Sequence, residues 1–156
     1  MAVEIERKFL VKSEAFKQDA LTSYSIKQGF LNRDPERTVR VRLKRGKGFL
    51  TIKGKSTDGG LSRFEWETEI NPKDAEALLQ RCEKGIIYKT RYELKSGHHI
   101  FEVDVFHGEN EGLVVAEIEL QSADEAFIKP EWLGEEVTGD KRYYNSYLSQ
   151  YPFKDW

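Results

Sequence analysis

Apolar and charged residues alternate with period two along most of this chain, and the charged set is sorted by sign. Period two is the mark of a β-strand, whose successive side chains point to opposite faces. In Val3–Val11, Val3, Ile5, Phe9 and Val11 alternate with Glu4, Glu6 and Lys8. Residues 38–45 set Val39, Val41 and Leu43 against Arg40, Arg42 and Lys44. Residues 49–55 set Leu50 and Ile52 against Thr51, Lys53 and Lys55. Ser62–Ile70 sets Phe64, Trp66 and Ile70 against Arg63, Glu65, Glu67 and Glu69. The same pattern runs through 86–95 (with Lys89, Arg91 and Glu93), 98–106 (with Glu102 and Asp104) and 113–121 (with Glu117 and Glu119). A weaker strand, without a clean face, is expected at 24–31.

Turn chemistry separates these segments. Arg45-Gly46-Lys47-Gly48 and Ser96-Gly97 predict hairpins, and Thr57-Asp58-Gly59-Gly60 a longer loop. Hairpins imply antiparallel pairing. Asn71-Pro72 places a cap and a proline at the start of a helix expected over 71–84. Ser122 and Glu125, at capping-box spacing, predict a helix over 122–128. Short helices are expected at 13–20 and, behind Asp140, at 140–150.

Eight antiparallel strands are about the number that closes into a small barrel. Periodicity alone does not say which face of that barrel is inside. The ordinary arrangement puts the apolar set in the core and the charges in water. Two features weigh against ordinary solvation here. The polar faces are almost pure charge, with 33% of the 156 residues being Asp, Glu, Lys or Arg. Like signs also fall together at i, i+2, on the same side of a strand and roughly 6–7 Å apart. Such pairs repel unless a polyvalent partner sits between them. Paired carboxylates suit divalent cations, and paired Arg and Lys suit phosphates.

Several classes are disfavoured. The formal net charge of -2 argues against coating nucleic acid by bulk charge. One cysteine, Cys82, cannot form an internal disulfide or a Cys-rich zinc site. No apolar run approaches the ~20 residues of a membrane helix, and the start, Met-Ala-Val-Glu-Ile-Glu, does not read as a signal peptide. A single domain over residues 1–156, working in the cytoplasm, without nucleic-acid or membrane partners, is expected; a homodimer is allowed for.

Glu4-Ile5-Glu6-Arg7-Lys8 resembles the E-x-E-x-K signature of the CYTH superfamily, the triphosphate tunnel metalloenzymes. Arg40-Val41-Arg42, Lys53, the Gly59-Gly60-Leu61-Ser62-Arg63 turn with Glu65 and Glu67, Lys89-Thr90-Arg91-Tyr92, Glu102-Val103-Asp104, Glu117-Ile118-Glu119 and Asp140-Lys141-Arg142-Tyr143 follow in the family's order. The resemblance covers nearly the whole chain and is strongest to short bacterial inorganic triphosphatases. It implies an α+β, mainly β fold: a closed eight-stranded antiparallel barrel with flanking helices, a C-terminal helix near one mouth, and the charged face inside.

The resemblance also implies roles. Lys8, Arg40, Arg42, Lys53, Lys89 and Arg91 would bind substrate and act in catalysis, with Lys141 as a further phosphate contact. Glu4, Glu6, Glu65, Glu67, Glu102, Asp104, Glu117 and Glu119 would hold one or two Mg2+ or Mn2+ ions, with Glu4, Glu6, Glu117 and Glu119 foremost. The substrate would be inorganic tripolyphosphate or another triphosphate-bearing small molecule, cleaved by in-line attack of water. Thiamine triphosphatase, class IV adenylyl cyclase and a polyphosphate-binding module without turnover are the alternatives. Lys44, Lys55, Glu69 and Glu93 are expected in solvent at strand ends, and His98, His99 and His107 in exposed loops. Cys82, Trp66 and Trp132 are expected as packing residues. Arg63 has lining parity beside a turn, and Lys27 and Arg33 lie in a segment no motif places.

Overall fold

The computed structural model describes residues 3–156. Its sheet contains β1 (Val3–Val11), β2 (Thr22–Asn32), β3 (Arg37–Lys44), β4 (Lys47–Thr57), β5 (Ser62–Ile70), β6 (Ile87–Ser96), β7 (His99–Phe106), β8 (Val114–Leu120) and β9 (Leu133–Glu136). The order is β5-β4-β3-β2-β6-β7-β8-β1-β9, and an additional β5–β1 pairing closes the first eight strands into an antiparallel barrel. Along one edge β1 is shared: Val3–Ile5 face β5, while Phe9 and Val11 pair with β9. The β3–β4 hairpin turns through Arg45 and Gly46, both with positive φ (55° and 74°), as the right-handed twist of two-residue hairpins requires.

The apolar face of the barrel points outward and is covered over most of its area, with Phe64 and Trp66 of β5 left exposed. Phe101, Val103, Ala116, Ile118 and Leu94 pack with Phe9 beneath Phe16 of α1 (Phe16–Asp19) and beneath Trp132 and Leu133. Val41 packs with Ala75 and Leu79 of α2 (Pro72–Leu79), with Leu43, Leu50 and Ile70 around them. Asn71 caps α2 through Lys73 N–H, as its sequence predicts. Each buried side chain of this size contributes ~1.5–3 kcal/mol. A third cluster lies inside the barrel at one end. There Phe30, Ile87, Phe106 and Val115 meet Tyr143 and Leu148 of the C-terminal segment.

Several expectations are corrected. Residues 122–128 form no helix: Glu125 accepts from Gln121 N–H and pairs with His99, so its carboxylate ties down a loop instead of capping a turn. Phe127 continues that loop by packing on the outer apolar cluster, and Pro130 opens a turn in which Leu133 N–H donates to its carbonyl. The C-terminal helix near the mouth is broken into a 3-10 turn, Lys141–Tyr143, and a short α3 (Asn145–Leu148), because Tyr144 between them is extended. α2 ends earlier than residue 84. The short strand β9 was not expected. Trp132 packs as expected, whereas Trp66 is 47% exposed on the outer face of β5.

Candidate functional site

The register of the strands assembles the charged residues on the inner wall. Lys8 lies beside Glu117, Glu117 beside Glu102, and Arg91 beside Asp104. On the opposite wall Thr38 faces Lys53, Lys53 faces Glu65, and Thr51 stands between Arg40 and Glu67. The charged set therefore faces inward, the orientation that periodicity left open.

Two connected spaces result. The outer one, about 160 Å³, is lined by Glu4, Glu6, Glu65, Glu102, Glu117 and Glu119 together with Arg40, Arg42, Lys44, Lys53 and Arg91. The inner one, about 50 Å³, shares Glu6, Arg40, Lys53, Arg91 and Glu117, and adds Lys8, Lys89, Arg63, Thr38, Phe30, Tyr144, Asn145 and Ser146. Of the site residues that the sequence points to, all but Glu67, Asp104 and Lys141 line one of these spaces. Glu67 stands at an acidic outer rim with Val3, Glu4, Glu65 and Glu119. Lys141 is exposed and lines a separate cavity beyond Tyr144. Lys44, expected in solvent, lines the outer space, and Arg63 lines the inner one. Lys27 instead lies over the Tyr88 ring, and Arg33 pairs with Glu83.

The cations are held in two ways. Asp104 grips Arg91 through both oxygens, at 2.7 and 2.9 Å, and stands 2.7 Å from Lys89 Nζ. Arg40 and Arg42 share Glu67 at 3.6 Å each, and Glu67 also accepts from Thr51 at 2.6 Å. Lys8 lies 3.4 Å from Glu117 and 3.5 Å from Glu6. Lys53 donates to Glu4 at 3.2 Å. Among the described residues, the buried Nε atoms of Arg40 and Arg42 have no hydrogen-bond partner. A buried guanidinium N–H left unpaired is costly, so two together mark a place that favours an anion.

Electrostatics divide the carboxylates into two groups. Burial works against ionisation of Glu117 and Asp104, but neighbouring cations (Lys8 and Arg91 for Glu117, Arg91 and Lys89 for Asp104) hold both well below the usual carboxylate range. Burial pushes Glu6 up to about 7, and Glu117 beside it adds to the rise. Glu4 is raised by burial, partly offset by Lys53 and reinforced by Glu65. Glu119 is raised by burial and then by Glu4, Glu102 and Glu6. The second group is thus short of positive charge. Burial lowers Lys89 to about 8 despite Asp104.

The sequence reading puts Thr51 on the charged face of its strand but missed the rest of the uncharged lining. Thr38, Thr51, Phe30, Tyr144 and Asn145 all reach the tunnel. Gln28 stands behind it, fully buried, donating at 2.9 Å to Asn145 Oδ1, which also accepts from Lys89 at 3.0 Å. Gln28 and Phe30 share the inward parity of β2, but that strand carries no charge alternation to reveal it.

Comparison with known proteins decides the family. The description "CYTH domain" matches residues 2–146. The chain belongs to the CYTH family. It is 47% identical over 157 residues to the inorganic triphosphatase of Acetivibrio thermocellus, covering 100% of this chain and 99% of that one. It is 41% identical over 152 residues to the inorganic triphosphatase of Nitrosomonas europaea, covering 94% and 96%. A crystal structure of an inorganic triphosphatase superposes with a TM-score of 0.64 at 37% identity, covering 96% of this chain and 95% of that one. CYTH membership implies dependence on a divalent metal ion. The donor set fits one: Glu4, Glu6 and Glu119 offer carboxylate oxygens whose mutual repulsion a hard cation would relieve. Among the described residues, no three carboxylate, imidazole or thiolate groups already converge as a ready-made cage. None of the described helices is long and apolar enough to cross a membrane.

Proposed function

We propose that this chain hydrolyses inorganic triphosphate to pyrophosphate and orthophosphate, using Mg2+ or Mn2+. The observation that carries the reading is the inward-facing arrangement of six cations, Lys8, Arg40, Arg42, Lys53, Lys89 and Arg91, around spaces whose outer part is rimmed by undercompensated carboxylates. The relatives named inorganic triphosphatase support it.

The free Nε donors of Arg40 and Arg42 bind phosphate oxygens, and the planar guanidinium suits two oxygens at once. Lys8 and Lys89 act as point charges deeper in, where low dielectric strengthens them. Glu4, Glu6, Glu117 and Glu119, with Glu65 and Glu102 at the side, would hold the ion. Bound there, a divalent ion would supply charge neutralisation on the phosphate oxygens. Asp104 and Glu67 keep their neighbouring cations charged and oriented toward the substrate. Water attacks a terminal phosphorus, the bridging P–O bond breaks, pyrophosphate departs and the water's proton is released. Preorganised cations lower the barrier because they meet the charge spread over the transferring group without rearranging. No covalent enzyme intermediate is needed. We place this reaction in the cytoplasm, in keeping with the single, unpaired cysteine, and in a single domain spanning the chain.

Hydrolysis of tripolyphosphate in 18O-water tests the reading. Label confined to orthophosphate is expected. Label in pyrophosphate, or no turnover with either metal, overturns it.

A further inference from the structure

Beyond the inner space lies a second cavity of about 220 Å³, bordered by Arg33, Lys55, Arg63 and Lys141 with no carboxylate among its lining residues. It shares Arg63, Tyr144 and Ser146 with the inner space, so these residues form the partition between the two. Arg33 is already bound to Glu83 and Ser149. Among the described residues, Lys55 and Lys141 have no ion-pair partner. A wall with cations and no acid attracts an anion, yet it lies on the far side of a residue that blocks the way.

That residue is Tyr144, and the fold holds it in place. Its backbone is extended between the 3-10 turn and α3, which sends the ring toward the tunnel and not along a helix face. Its ring centroid lies 5.0 Å from Lys8 Nζ and 5.7 Å from Arg63 Cζ. Its hydroxyl is hydrogen-bonded to Ser56 of β4 at 3.3 Å, barring the gap between the C-terminal segment and the barrel wall. Gly60 leaves room for it: a Cβ there would lie 3.0 Å from the Tyr144 hydroxyl and 2.5 Å from Gly139 Cα.

We infer that Tyr144, barred to Ser56, is a specificity-determining residue that ends the substrate path at three phosphates by separating the tunnel from a second basic cavity. This rests on the proposed triphosphatase reading. A fourth phosphate of a linear chain meets the tyrosine ring, with the cations of the inner space already facing the first three and Lys55 out of reach behind the ring. With the ring removed, the same phosphate reaches Lys55. Exclusion by a wall in this way gives discrimination without any added attraction for the correct substrate.

The test compares linear tetraphosphate with tripolyphosphate in wild type, Tyr144→Phe and Tyr144→Ala. The readout is the ratio of their kcat/KM values. Wild type favours tripolyphosphate. Tyr144→Phe, which keeps the ring, holds the ratio within about twofold, and Tyr144→Ala raises the tetraphosphate share by about tenfold or more. Adding Lys55→Glu to Tyr144→Ala returns the ratio toward wild type. A ratio unmoved in Tyr144→Ala, a gain that survives Lys55→Glu, or a wild type that already prefers tetraphosphate overturns the inference. Should Tyr144→Ala lose turnover, dissociation constants for the two anions in EDTA give the same ratio with the same expected and contrary outcomes. No hydrolysis of tripolyphosphate by wild type would instead sink the triphosphatase reading, so the two failures are distinguishable.

Discussion

Arg91 and Asp104 face each other across β6 and β7 and are joined by two hydrogen bonds, 2.7 and 2.9 Å long, inside the barrel. Asp104 is therefore committed to cations, whereas Glu6, on the same wall, lacks enough of them. The two carboxylates should respond differently to neutralisation. Asp104→Asn leaves Arg91 and Lys89 underpaired and lowers stability by ~3–5 kcal/mol, with no change in the metal concentration needed for half-maximal rate. Glu6→Gln raises that metal requirement at least about tenfold. Chemical denaturation and metal titration of the two variants check this.

The pH profile follows from Glu6 and Lys89. Glu6, raised to about 7, binds a proton in competition with metal below that value. Lys89, lowered to about 8, loses its charge above it. At subsaturating metal, kcat/KM, which reports the free enzyme, should form a bell with its maximum between these two values. Lys89→Arg should flatten the alkaline limb, since a guanidinium stays charged. A wild-type profile rising without a break to strongly alkaline pH contradicts the assignment.

The same shift of Glu6 has a consequence for the metal-free protein. Its folded pKa of about 7 lies above the ordinary value of 4.5, so the folded state holds that proton more tightly than the unfolded state. By linkage, this contribution to stability is present at low pH and is lost as pH climbs from 4.5 through about 7. Metal-free Glu6→Gln should then melt at a higher temperature than wild type at pH ~8, and the gap should shrink toward pH ~4.5. Calorimetry in EDTA at both pH values checks the sign. Added metal should erase the gap by stabilising wild type alone.

The outward core makes a prediction of its own. Phe101 is fully buried on the outside of β7, against Trp132 and Phe127. Phe101→Ala should cost ~3–5 kcal/mol while leaving kcat for tripolyphosphate unchanged below the melting transition. Trp66→Ser, on the uncovered part of the same outer surface, should cost under ~0.5 kcal/mol. Denaturant titrations distinguish the two.

The strands were legible wherever one face was charged. Ser62–Ile70 has the same ends in sequence and structure because its alternation stops at a turn on one side and at Asn71-Pro72 on the other. β9 was hidden because Leu133–Glu136 is too short to show a period, and it forms only by pairing with the free part of β1. The helix expected at 122–128 failed because Ser122 and Glu125 can satisfy a loop as well as a helix start. The charged residues could be picked out from sequence, since like charges at i, i+2 repel unless ions of opposite sign lie between them, but that they line the inside was implied only by the family resemblance. Tyr144, Asn145 and Gln28 could not: they enter the tunnel region from an irregular segment and from a strand without alternation, and only tertiary packing places them.

The most direct measurement is orthophosphate release from tripolyphosphate with Mg2+ or Mn2+, repeated with EDTA, with ATP in place of tripolyphosphate, and with Glu6→Gln. Metal-dependent release that exceeds release from ATP, vanishes in EDTA and falls at least about 10²-fold in Glu6→Gln at low metal is the predicted result. Release that persists in EDTA, or equal rates in wild type and Glu6→Gln at every metal concentration, would contradict a carboxylate-held ion in a cationic tunnel.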